Sequence, residues 1–224
     1  MPVIPPPPSA PIPFKKREFP VRAPGAFYEG PFVVIGASAG GIEALSEILP
    51  ALPENFPPTL IVQHILPGFT AGFAERLNQR SAVRVVEARG ALPLKAGEVI
   101  LAKGGEHLQV TRWIGKLLAV SHLGKPLHRH MPAIDVLFRS AVRAAGSRVI
   151  GVLLTGMGSD GAEGMKEIVR AGGFTIAQDE ATSAVYGMPA EAVRRGGASA
   201  VLPLNRIAPA LLARLQGERM AANF

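Results

Sequence analysis

From residue 31 onward, hydrophobic positions fall into short apolar runs separated by amphipathic stretches. Phe32-Val-Val-Ile35 reads as a buried strand, and the spacing from Ile42 to Leu49 predicts a helix that stops at Pro50. Leu60-Ile-Val62 predicts a second strand, residues 70–79 a helix, and residues 83–86 a third strand. Three β-rich segments follow, at 99–102, 107–111 and 116–121, separated by glycine-containing turns, and they read as hairpins rather than a crossover. Helical spacing returns at Ile134, Leu137, Phe138, Ala141 and Val142. Residues 149–154 form a near-continuous apolar strand, followed by a glycine-rich turn and a helix through Met165, Ile168 and Val169. A strand at 174–177, a helix near 189–195, a strand at 200–202 and a helix from about Asn205 complete the pattern, without an internal repeat.

Strand–helix alternation with fully apolar strands predicts an α/β fold: a doubly wound, mostly parallel sheet with an antiparallel hairpin insert. Residues 1–30 stand apart as a polyproline-prone, flexible leader, because nine of the 21 prolines fall within residues 1–24. The globular domain is expected over residues 31–217. With 48% hydrophobic residues, the 224-residue chain can bury a real core. Cysteine is absent, which excludes disulfide scaffolds, thiolate metal sites and cysteine nucleophiles. No apolar run approaches a membrane span and no secretory signal pattern opens the chain, so no membrane insertion and a cytoplasmic location are expected. The formal charge of +7 suggests nucleic acid at first. However, Lys15, Lys16, Arg17 and Arg22 against Glu18 put net +3 of it in the leader, and aromatic residues make up only 6%. No nucleic-acid partner is therefore expected.

In a doubly wound sheet, chemistry collects at the carboxyl ends of strands. Gly36-Ala-Ser38-Ala-Gly40 satisfies G-x-S-x-G between a strand and a helix, the context of a nucleophile on a sharp turn. The same glycines would serve a dinucleotide turn equally well. That reading requires a Tyr with a Lys four residues on, or an acidic residue ending the second strand. Phe32 and Ala190 follow Tyr28 and Tyr186 at that spacing, and the second strand ends in Gln63-His64. His64 is thus placed at a strand tip where an imidazole could take the serine proton. His128 and His130 suggest a metal, but with no Cys in the chain and no Asp or Glu adjoining the pair no metal is expected. Asp160, between glycines after the most apolar strand, reads either as the cap of the following helix or as the acid that orients an imidazole. All three aspartates follow the last histidine, so only a Glu could serve the Ser–acid–His chain order of the α/β-hydrolases.

Gly36-Ala-Ser-Ala-Gly-Gly41, Val62-Gln-His64 with Pro67-Gly68, and Leu154-Thr-Gly-Met-Gly-Ser-Asp-Gly161 together resemble the chemotaxis protein-glutamate methylesterases, the CheB-type catalytic domain. Ile134-Asp-Val-Leu-Phe138, Ile176-Ala-Gln-Asp179 and Tyr186-Gly-Met-Pro189 fit the same family. The resemblance runs from about residue 31 to about 208. It implies a serine hydrolase that removes methyl esters from receptor glutamates, deamidates receptor glutamines in some members, and uses no cofactor. Nucleophile, base and orienting acid carry over onto Ser38, His64 and Asp160. The Met157 N–H is implied as oxyanion donor, with Ala39 and Met188 as further oxyanion or substrate positions. The implied partners are a methyl-accepting chemoreceptor as substrate and a receptor methyltransferase. The alternative is a catalytically weak module that docks on either. The sequence departs from the family where Ala39 replaces the usual Thr and where Met131-Pro-Ala-Ile-Asp135 replaces a more polar Arg-Pro-Ser-Val-Asp. The family's receiver domain is not expected in the proline-rich residues before 31, which contain no Asp.

Overall fold

The computed structural model describes residues 28–217, so the leader expected over residues 1–30 lies almost wholly outside the described residues. The chain runs through β1 (Phe32–Ala37), α1 (Gly41–Ile48), β2 (Thr59–Gln63), α2 (Thr70–Arg80), β3 (Arg84–Glu87), β4 (Ala91–Pro93), β5 (Glu98–Leu101), β6 (His107–Trp113) and β7 (Lys116–His122). It continues through α3 (Ile134–Ala145), β8 (Val149–Leu153), α4 (Ala162–Arg170), β9 (Phe174–Gln178), α5 (Met188–Arg194), β10 (Ala200–Leu202) and α6 (Leu204–Leu215).

Seven strands form a parallel sheet in the order β10-β9-β8-β1-β2-β5-β3. Every residue of β1, β2 and β8 is buried, as expected for strands covered on both faces. The two-residue alternation of a strand then divides the core. Val33 and Ile35 of β1 join Leu45, Ile48, Phe73, Leu77 and Leu211 in the layer beneath α1, α2 and α6. Phe32 and Val34 face the other way, toward Leu137, Phe138, Met165 and Ile168 of α3 and α4.

One expected element belongs elsewhere. The segment at 99–102, expected in the hairpin block, is β5 and lies in the parallel sheet between β2 and β3. All four β5 residues are buried, which leaves no wet face of the kind a surface hairpin keeps. Only β6 and β7 form the hairpin, closing over Ile114 and Gly115 at φ 46° and 77°, the positive angles that match strand twist in a two-residue turn. The three-residue β4, unexpected from its short pattern, adds to β7. This small antiparallel sheet packs on α3, where the Val110 N–H donates to Ser140 Oγ at 2.9 Å.

β1 lies between β2 on one side and β8 on the other, so the chain's winding reverses beside it. A crevice at the carboxyl ends of these three strands follows from that reversal. The layer over the crevice depends on a close approach of α3 and α4. A Cβ at Gly164 would stand 2.5 Å from Phe138 Cβ and 3.1 Å from Asp135 Oδ1, both close to the backbone of α3. Gly164→Ala is expected to destabilise the domain by about 1–3 kcal/mol, despite the gain in helix propensity, because it forces the helices apart. Urea unfolding of both proteins measures this, and an unchanged midpoint would show that α3 yields.

Candidate active site

The sheet ladder delivers three side chains to one place. Ala37 pairs with Gln63 as the last register of β1 and β2, so Ser38 and His64 follow as neighbours, and the His64 N–H donates to Ala37 O at 3.0 Å. On the other side, the Ser38 N–H donates to Thr155 O at 3.0 Å, tying the serine to the turn after β8. That turn carries Asp160. The serine turn itself requires Gly40, whose φ is 78° and whose missing side chain leaves room for Ala184 Cβ.

Ser38, His64 and Asp160 form one hydrogen-bonded row. Ser38 Oγ lies 3.3 Å from His64 Nδ1, and His64 Nε2 lies 2.9 Å from Asp160 Oδ2. Asp160, only 2% exposed, is an obligate acceptor when ionised, so Nε2 carries the proton and Nδ1 presents its lone pair to the hydroxyl. The ring is thus reversed relative to the triad template, in which Nε2 faces the serine.

Asp160 does not cap its own helix. Its oxygens accept the first amides of α3, from Ile134 at 2.8 Å and Asp135 at 2.9 Å. Asp135 in α3 in turn accepts the Gly164 N–H of α4 at 2.7 Å and His128 Nε2 at 2.9 Å. Both carboxylates are buried, yet their pKa values are displaced in opposite directions. Burial pushes Asp160 up, but the hydrogen bonds from His64 and the two amides outweigh it and hold the carboxyl below its ordinary value. Burial dominates at Asp135, helped by the Asp160 charge, and holds it above the ordinary value.

Around this row, Gln63 Nε2 donates to Ser38 O at 2.8 Å and His64 O at 3.0 Å, bracing both strand ends. Thr155 Oγ1 donates to Ala39 O at 2.9 Å and accepts the Val185 N–H at 2.9 Å. The Met157 N–H has no protein acceptor among the described residues, nor does that of Ala39, and both residues are exposed beside the serine turn. Met188 is fully buried, with its sulfur and methyl behind Gly156 and its N–H donating to Gly156 O at 2.8 Å.

The sequence reading isolated His128 and His130 from any acid, and the structure corrects this. His128 meets Asp135 and Asp160, and the coordinating atoms of the three lie within 4.8 Å of one another. Every carboxylate oxygen of the group already accepts a hydrogen bond, an arrangement complete without an ion. His130 stacks on His64, with ring centroids 3.8 Å apart and planes inclined at 14°. The hint for both was their nearness to Ile134-Asp135, but the tight turn that presents them has no glycine to mark it.

Comparison with known proteins decides the family. Residues 33–211 match the family model described as CheB methylesterase. The chain belongs to the CheB methylesterase family. It is 48% identical over 180 residues to a Rhizobium johnstonii protein named protein-glutamate methylesterase/protein-glutamine glutaminase 2, covering 80% of this chain and 49% of that one. Identity is also 48% over 206 residues to the Anaeromyxobacter dehalogenans protein-glutamate methylesterase/protein-glutamine glutaminase 1, covering 92% of this chain and 58% of that one. The chain thus spans about half the length of these relatives. The solved catalytic domain of the Thermotoga maritima CheB methylesterase superposes with a TM-score of 0.81 at 38% identity, over 84% of this chain and all of that one. That match confirms the expected CheB-type α/β fold.

The opposed aspartates make a testable acid profile. Asp160, depressed when folded, contributes stability that is present above the unfolded value of about 3.9 and is lost as pH falls through its folded value. Asp135, raised when folded, acts in the opposite sense and costs stability as pH rises from about 3.9 through its folded value. In Asp160→Asn, the loss of urea midpoint below about pH 4 is expected to be shallower than in wild type. Parallel profiles would show that Asp160 does not carry the acid limb.

Proposed function

We propose that residues 31–217 form a serine esterase domain that hydrolyses glutamate methyl esters on a methyl-accepting chemoreceptor in the cytoplasm, releasing methanol. The observation that carries this reading is the row from Ser38 Oγ through His64 to Asp160, at 3.3 and 2.9 Å, on the carboxyl ends of adjacent strands. The names of the relatives support the substrate class. Among the described residues no helix is long and apolar enough to cross a membrane.

In this mechanism, Ser38 Oγ attacks the ester carbonyl as its proton passes to His64 Nδ1, and Asp160 stabilises the imidazolium through Nε2–H. The developing oxyanion faces the N–H groups of Met157 and Ala39, with Met188 packed behind the turn that aims the former. The imidazolium returns its proton to the departing methoxide, giving methanol and an acyl-Ser38. Water, deprotonated by His64, then cleaves the acyl-enzyme and leaves a glutamate carboxylate. A primary amide follows the same course with ammonia leaving, which suits the glutaminase half of the relatives' names. A receptor methyltransferase is the partner activity that would regenerate the ester.

Ser38→Ala is expected to lower methanol release from methylated receptor by about 10⁴-fold or more with the fold unchanged, because no neighbour can replace the nucleophile. Retention of a tenth of wild-type turnover would rule out Ser38 as nucleophile. Tight receptor binding with no turnover in wild type would instead indicate a docking module.

A further inference from the structure

We propose that His130 is a positioning residue for His64: the turn at 127–130 lays its ring flat against the base, fixes the plane that aims Nδ1 at Ser38, and gives the transient imidazolium an aromatic face to rest on. This rests on the hydrolase reading above.

The geometry for this role is built from several directions. The Leu127 N–H donates to His130 O at 3.1 Å and the His130 N–H to Leu127 O at 2.9 Å, which closes a two-residue turn over His128 and Arg129. Those two residues have φ of 53° and 67°, a left-handed pair normally given to Asn-Gly. Two side-chain-bearing residues hold this conformation at a cost, so something must over-determine it. His128 supplies one restraint, because its Nε2 bonds Asp135 Oδ2 at 2.9 Å and ties the turn to the start of α3. The stack on His64 supplies the other. Asp135 also gives its own N–H to Asp160, so the residue that anchors the turn also anchors the acid that grips Nε2. One network thus holds the His64 ring by edge and by face.

A partner ring helps an imidazolium only if it does not itself carry charge. His130 faces His64 and Asp160 from the two strand-end loops and His128 on its own turn, with Asp135 behind His128. Burial and the His64 charge hold its imidazole below the ordinary value, against the opposing pull of Asp160. It therefore stays uncharged while His64 takes up the serine proton, and its π face stabilises the cation. At lower pH a proton on His130 would set two cations in van der Waals contact and oppose that step.

The test follows labelling of Ser38 by a fluorophosphonate, in which the Oγ–P bond forms, fluoride leaves and the hydroxyl proton goes to His64. This readout needs no receptor. His130→Ala and His130→Leu are expected to label about tenfold slower than wild type, and His130→Phe to recover to within about threefold of it. Leucine fills the space without a π face, so equal rates for the Leu and Phe variants would reduce His130 to packing and overturn the proposal. An alanine variant that labels like wild type overturns it as well. The acid limb of the labelling rate should be steeper in wild type than in His130→Phe, which has no ionisable ring at this position, and superimposable limbs would count against the proposal. If wild type labels at Ser38 but releases no methanol from methylated receptor, the esterase reading fails while the role of His130 stands. A wild type inert to the probe overturns both.

Discussion

Asp160 precedes α4 but accepts the first two amide protons of α3, and Asp135 within α3 accepts an amide proton of α4. Each carboxylate thereby satisfies backbone donors of the opposite helix, donors that would otherwise be buried without partners. Neither can withdraw alone, because a buried carboxylate without its donors costs several kcal/mol. The position of the acid in the serine row is therefore fixed by the packing of two helices. The Gly164–Phe138 approach that lets these helices meet is part of the same constraint.

The reversed imidazole follows from a second constraint, the spacing of strands. Ser38 and His64 sit one residue past a paired register of parallel neighbours, so their backbones stand about 4.8 Å apart. At that distance the near nitrogen, Nδ1, is the one that meets a hydroxyl on the next strand. Nε2, on the far side of the ring, then reaches across to the turn after β8. The placement of Ser38 and His64 on adjacent strand ends thus dictates which ring nitrogen faces the hydroxyl.

Much of this was legible in the sequence because apolar runs with both faces buried mark parallel strands, and because Ser38 and His64 directly follow two of them while Asp160 lies in the glycine-rich turn after a third. The placement of β5 was not legible, since Val99-Ile-Leu101 satisfies a hairpin arm and a central strand equally until its neighbours are known. Asp160 offered two readings as a helix cap or an orienting acid. In the structure its oxygens meet both His64 and a helix N-terminus, but the capped helix is the distant α3, which local spacing cannot reveal. The link from His128 to Asp135 and the stack of His130 on His64 were hidden for a related reason. They depend on a left-handed turn built from residues that rarely adopt it.

Glu29 is clamped by Arg112 of β6 at 3.2 Å and by Arg148, just ahead of β8, at 2.8 Å. Both arginines hold it near the start of β1, whereas Ser38 lies past the other end of that strand. Six residues of strand span about 20 Å. The described chain therefore enters the domain at the pole opposite the crevice, so this ion-paired entry and the serine row are anchored to opposite ends of one strand.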